Sequence, residues 1–262
     1  MNRGFLFFVH TIRLLVRNIG PALRISIPWF ALAIIGVILV AIVAGIAATQ
    51  QSAGMAVASF VAVFAALLFG LYAVGAVAVG WHRYVLLNEP PRGILTIPPS
   101  GTVLPYMGRA IAISLLLLLI LFVPLIFFGL LIGPMASGSN SGSAMVLFIL
   151  TFIVIFLLSQ YVFLRLGVSL PAVALGRRDF SIRDGWRQSA SEGSTILWVV
   201  IFITIASTIL QIPSFLMQMD TMAQPGATDA LTREINPVVE IINLVLSWVL
   251  FMFNVCILTT LY

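Results

Sequence analysis

The chain has 262 residues, 61% of them hydrophobic and only 8% charged, with a mean hydropathy of +1.18 and a formal charge of +5. A soluble domain carries roughly a quarter charged residues, so this composition belongs to a polytopic membrane protein. All thirteen basic side chains of the Lys and Arg class are arginine. The absence of lysine excludes a Walker-type phosphate loop and a pyridoxal-phosphate aldimine, and the lone Cys256 excludes an intrachain disulfide or a multi-cysteine metal site.

At the N-terminus the apolar run of residues 5–9 is shorter than the roughly 7–15 residues of a cleavable signal core, and His10, Arg13 and Arg17 keep it from extending further. The segment reads instead as an amphipathic helix. Arg3, His10, Arg13, Arg17 and Arg24 share one arc of a helical wheel, opposite Phe5, Phe8, Ile12 and Leu15.

Six longer apolar runs come next, at residues 28–48, 55–81, 110–133, 144–164, 195–215 and 241–262, none with a charged side chain or a histidine. About 20 apolar residues span the roughly 30 Å of hydrocarbon, and continuous helices satisfy the backbone there. The expected fold is therefore all-α: a single domain of six transmembrane helices, with short amphipathic helices at the surface. Ala66 with Gly70, and Ala76 with Gly80, place small residues four apart in the second span, where a neighbouring helix can approach closely. Pro124 and Pro213 are candidate breaks in the third and fifth spans.

Charge alternates between the connections. Arg3, Arg13, Arg17 and Arg24 precede the first span; Arg83, Arg92 and Arg109 lie in the second loop; Arg165, Arg177, Arg178, Arg183 and Arg187 surround the fourth. The loops after the first and third spans carry no charge, and the fifth holds only Arg233 against Asp220, Asp229, Glu234 and Glu240. The positive-inside rule makes the arginine-rich side cytoplasmic, with both termini on it. Trp29, Trp81, Tyr84 and Trp198 fall at the same span ends, where an interfacial aromatic belt is expected. Each pair of spans is preceded by a basic segment, giving three hairpins without a residue-level repeat. The chain ends with its sixth run, which leaves open whether the natural sequence continues.

The fourth loop, "LPAVALGRRDFSIRDGWRQS", is the most charged. Pro171 is expected to bend or end the fourth helix. Ser181 with Asp184 reads as a helix start, from which Ile182, Trp186, Ala190, Gly193 and Leu197 form an apolar stripe, with Arg183, Asp184, Arg187 and Gln188 off it. That is a short surface helix whose Arg177, Arg178, Arg183 and Arg187 either anchor topology or contact anionic lipid headgroups. The run "LPAVALG", a basic linker and "GWRQS", together with the second loop "RGILTIPPSGTVLPYMGR", resembles a family of six-helix bacterial inner-membrane proteins. These are related to the membrane domain fused to some glycerophosphoryl diester phosphodiesterases. The resemblance implies a helical membrane domain without known chemistry, in a bacterial cytoplasmic membrane; the phosphodiesterase catalytic domain has no counterpart in these residues.

Two polar stripes stand out within spans. Thr204, Ser207, Thr208 and Gln211 share a face of the fifth, and Asn243, Ser247 and Asn254 a face of the sixth. They form either interhelical hydrogen bonds or a polar cavity for a substrate. Met217, Met219 and Met222 suggest soft Cu(I) ligands or interfacial gap-fillers. Catalysis lacks an inventory: His10 and His82 lie on separate interfacial segments, and in "GSNSG" Asn140 occupies the serine position of a nucleophile elbow. No span carries the acidic or histidine groups of a proton relay. The expectation is a non-enzymatic protein without cofactors that binds membrane lipids and other membrane proteins and no nucleic acid. It would be an accessory, scaffold or lipid-organising component, the competing class being a small-molecule or lipid transporter.

Overall fold

A computed structural model describes residues 3–50, 52–136, 141–222 and 237–262. In chain order the helices are α1 (Arg3–Arg17), α2 (Ile19–Gln50), α3 (Ala53–Leu87), α4 (Val103–Ala136), α5 (Ser141–Gly167), α6 (Ser169–Ala174), α7 (Ile182–Gln188), α8 (Gly193–Met222) and α9 (Pro237–Leu261). A 3₁₀ turn, Ser189–Glu192, joins α7 to α8. No strand occurs among the described residues. Helices α2, α3, α4, α5, α8 and α9 are each long and apolar enough to cross a membrane.

Every spanning helix outruns its apolar segment. At 35 residues, α3 exceeds what the hydrocarbon requires and carries Trp81, His82 and Arg83 in its final turns. It stops at Asn88, whose left-handed backbone (φ 55°) lets its N–H reach the Arg83 carbonyl. Pro28 and Pro213 lie inside α2 and α8, and α4 runs uninterrupted through Pro124. The expected breaks at Pro124 and Pro213 do not form. A lost backbone bond is tolerated in a long apolar helix whose other carbonyls remain paired. Pro171 acts upstream of itself. Lacking an N–H, it gives no donor to the carbonyl of Gly167, and α5 ends there before α6 resumes at Ser169.

The tightly packed core lies at the arginine-bearing end of the bundle. Ile25 and Trp29 of α2, Val77 and Trp81 of α3, Tyr106 of α4, Leu164 of α5, Ile196 and Val199 of α8, and Met252, Cys256 and Ile257 of α9 are all buried. Small residues permit this closeness: a Cβ on Gly80 would sit 3.1 Å from Ile25. Trp248 of α9 donates to Ser26 of α2 at 2.7 Å, joining the first and last spans.

Away from that end the packing thins to pairs. Half-buried Ala33, Gly36, Val40, Val43 and Ala47 form one stripe on α2, and Ser59, Ala62, Ala66 and Gly70 form its counterpart on α3. The flanks expose bulky side chains such as Val37, Phe60 (73% exposed) and Phe64. The paired α4 and α5 likewise present Phe127, Leu130 and Val154. The architecture is three antiparallel hairpins joined at one end. Of the two small-residue pairs in α3, Ala76 with Gly80 marks the close helix approach that the spacing predicts, whereas a Cβ at Gly70 would meet nothing within 4 Å.

Candidate functional site

The segment that the sequence marks most strongly, residues 170–189, folds back onto the bundle. Ser181 starts α7 with a reciprocal cap: its hydroxyl accepts from the Asp184 N–H, and the Asp184 carboxylate accepts from the Ser181 N–H at 2.9 Å. The face turned inward differs from the expected stripe. Gly185 and Ser189 are buried, while Trp186, Ala190 and Leu197 are exposed. Trp186 is turned out within α7 itself, where its ring lies under Arg165, and the 3₁₀ turn after Gln188, at about 120° per residue instead of about 100°, shifts the phase again before α8 begins. Gly185 decides the docking, since a Cβ there would meet the Ser169 backbone nitrogen at 3.1 Å.

Arginines hold this segment in place. The Arg165 guanidinium lies 3.7 Å over the Trp186 ring and donates to the Trp186 carbonyl at 2.9 Å and the Ser189 hydroxyl at 3.2 Å. Arg109 donates to the carbonyls of Ser169 (3.1 Å) and Phe180, spanning both ends of the α6 region. Arg83 pairs in a fork with Glu89 and also donates to the Ala174 carbonyl at 3.1 Å. Charge distribution alone makes these three arginines topology signals. Their role as donors to helix-end carbonyls depends on which loops meet, and sequence does not carry that.

Of the four arginines expected at lipid headgroups, Arg177 donates to the Tyr262 hydroxyl at 2.9 Å and Arg178 to the Gly101 carbonyl at 3.2 Å. Arg183 and Arg187 are exposed and flank Asp184. The structure therefore divides the set into two that reach protein partners and two that face outward.

His82, Trp81 and Trp29 correct the interfacial expectation, for all three are buried. His82 Nδ1 lies 2.8 Å from Thr259 Oγ1 in α9, and Nε2 lies 3.4 Å from the Tyr106 hydroxyl in α4. This polar bridge joins three helices. Trp29 instead donates to the Thr96 carbonyl at 3.0 Å, closing the second basic loop over the core. Trp198 alone of the tryptophans in the expected belt remains substantially exposed.

Four side chains of the polar stripes bond back to their own helices. Ser207 donates to the Ile203 carbonyl, Thr208 to that of Thr204, Gln211 to that of Ser207, and Asn254 to that of Leu250, at 2.8–3.2 Å. Thr204 and Asn243 are half-buried, whereas Thr208, Gln211 and Ser247 are exposed. The side chains of Met217, Met219 and Met222, and Asn140, lie outside the described residues.

Two concave surfaces occur at the basic end. A cleft of about 500 Å³ between α1 and the start of α8 includes Arg3, His10, Arg13, Glu192 and Thr195 in its lining. A smaller one of about 270 Å³ lies under the second loop beside Arg83, Glu89, Arg92 and Thr96. No group of three or more His, Cys, Asp or Glu side chains that could hold a metal ion occurs among the described residues. The fold defines a multi-pass α-helical membrane protein. No family model, no curated protein and no solved structure matches the chain.

Proposed function

We propose that this chain is a non-catalytic integral protein of a bacterial cytoplasmic membrane, acting as an accessory, scaffold or assembly component within a larger membrane complex. Its basic end faces the cytoplasm, where the positive-inside rule places it. The observation that carries this reading is the division of labour along the helices. The basic end is a packed, hydrogen-bonded hub, while α2–α3 and α4–α5 leave it as two-helix arms whose bulky apolar flanks are free of the rest of the chain. A rigid hub with several separated arms suits a protein that holds other helices in position.

The test is photocrosslinking from the arms in the native membrane. A benzophenone side chain at Phe60 or Phe64 of α3 should give one discrete protein adduct in good yield. The same group at exposed Leu104, at the start of α4 near the hub, should not. Adducts with lipid alone from every arm position would refute the scaffold reading.

A further inference from the structure

We propose that α1 lies along the membrane surface and holds anionic phospholipid, with Arg13 and Arg17 at the headgroups and Ile12 and Val16 against the acyl chains. The path of α1 comes first. Near its start Gly4 is pressed onto α8, where a Cβ would fall 2.4 Å from Trp198 Cβ. Just past its end Asn18 accepts from the Tyr84 hydroxyl of α3 at 2.8 Å. Trp198 lies early in α8 and Tyr84 in the last turn of α3, so both ends of α1 meet spans at their arginine-bearing tips. Fifteen residues of helix measure roughly 22 Å. The helix therefore crosses the bundle's end and does not run down beside a span.

Three faces then emerge from the wheel. Gly4, Thr11 and Leu15 are buried, and Phe8 packs between Phe202 of α8 and Phe253 of α9 with ring centroids 5.6 and 5.5 Å away. Turning roughly 90° from that face brings up Phe5, Ile12, Val16 and Ile19, all at least 40% exposed. Turning further brings up Arg3, His10, Arg13 and Arg17, also exposed. A helix resting sideways against a membrane bundle needs this order: protein on one side, hydrocarbon below, headgroups and water above.

A helix bathed in water on both free faces would gain nothing from Ile12 and Val16. The expected single apolar face is thus split in two, with Phe8 and Leu15 turned to protein and Ile12 and Val16 turned outward, while Phe5 stands between them with its ring edge-on to Phe202 at 5.7 Å. Arg24 belongs to α2 and reaches toward the Gly93 carbonyl instead.

Charge selects the lipid. Arg13 and Arg17 make no hydrogen bond or ion pair with other described residues, unlike Arg83, Arg109 and Arg165. The 500 Å³ cleft opens on the same side, and its lining sets Arg3 and Arg13 against one carboxylate, Glu192, which accepts from the Thr195 hydroxyl at 2.9 Å. Guanidinium groups at that depth suit a phosphodiester with no compensating ammonium, the chemistry of an anionic headgroup.

The experiment uses the full chain in phosphatidylcholine–phosphatidylglycerol discs. Native mass spectrometry reads the lipid retained, and a nitroxide at Ile12→Cys or Arg13→Cys reads depth. The wild type should retain phosphatidylglycerol preferentially. The double variant Arg13→Gln, Arg17→Gln should lose that preference by up to roughly 25-fold, at about fivefold per arginine, with its melting temperature unchanged. Arg183→Gln with Arg187→Gln should retain most of it. The Ile12 label should relax with oxygen and the Arg13 label with a water-soluble nickel chelate. Unchanged retention in the α1 double variant would overturn the proposal. So would equal water access at the two labels, or displacement of the lipid by inorganic phosphate, which would mark a small-anion site.

Discussion

His82 Nδ1 and Thr259 Oγ1 stand 2.8 Å apart in the buried hub, and the Thr259 hydroxyl also lies 2.7 Å from the Val255 carbonyl. A hydroxyl has one proton, and the carbonyl can only accept. Thr259 thus donates to Val255 and accepts from His82 Nδ1–H, which leaves Nε2 to accept from the Tyr106 hydroxyl at 3.4 Å. Two different helices thus hold the ring, with the Nδ1 proton placed by Thr259. Replacing Thr259 by valine keeps the shape and strands the His82 N–H. The expected loss is about 1–3 kcal/mol, the cost of an unsatisfied buried donor. Unfolding of the purified protein in detergent checks this, and a melting temperature equal to that of the wild type would show that the bridge contributes nothing.

Arg109 and Arg183 carry the same charge and should behave differently. Arg109 is half-buried and donates to two carbonyls from separate ends of the α6 region, whereas Arg183 projects from α7. Charge-assisted bonds contribute about 1.5–3 kcal/mol each, so Arg109→Gln, which loses two of them, should cost about 3–6 kcal/mol and loosen residues 169–188 toward proteolysis. Arg183→Gln should stay within about 0.5 kcal/mol, as exposed substitutions do. Equal effects of the two would mean that only total charge matters at this end.

The contrast also locates what the sequence discloses. Hydrophobic run length fixes the number of spans, because roughly 20 apolar residues are needed whatever their neighbours. The Ser181 cap and the close approach at Ala76 and Gly80 follow from local spacing, and both were legible. Burial of Trp29, Trp81 and His82 was not, because a residue at a span end meets either lipid headgroups or protein depending on tertiary packing. In this chain α3 continues about four turns beyond Ala73, and those turns are surrounded by α4, α6 and α9. The stripe from Ile182 to Leu197 failed for a related reason: Trp186 turns outward to stack with Arg165 from another helix, and beyond it a four-residue 3₁₀ turn, which nothing in "SASE" announces, shifts the phase.

Gly185 gives a prediction of opposite sign from most helical glycines. Exchanging glycine for alanine in a helix ordinarily gains up to about 1 kcal/mol. At Gly108 of α4, where a Cβ meets nothing within 4 Å, that gain should appear. At Gly185 the added carbon meets the Ser169 nitrogen at 3.1 Å and the Leu166 carbonyl oxygen at 3.4 Å, both main-chain atoms that cannot turn aside. Overpacking of this kind costs about 1–3 kcal/mol. Gly185→Ala should therefore lower the melting temperature and speed hydrogen exchange in residues 182–188, while Gly108→Ala should not. Stabilisation by both would show that α7 is loosely seated.

The last two spans separate the scaffold reading from transport. Thr208 and Gln211 are exposed on α8 and donate to carbonyls one turn back on the same helix. A side chain that returns its proton to its own backbone needs no partner helix and no substrate, and an exposed position adds no packing. Thr208→Val and Gln211→Leu should then each change stability by less than about 1 kcal/mol, in line with the small measured worth of polar contacts between membrane helices. Ser247→Leu on α9 should add nothing further. A substrate pathway along this face would behave differently: vesicles containing the triple variant would lose uptake of a solute that the wild type carries, with the fold intact. A metabolite-mixture uptake screen comparing the two proteins distinguishes the cases, and a solute taken up by the wild type alone would replace the scaffold reading with transport.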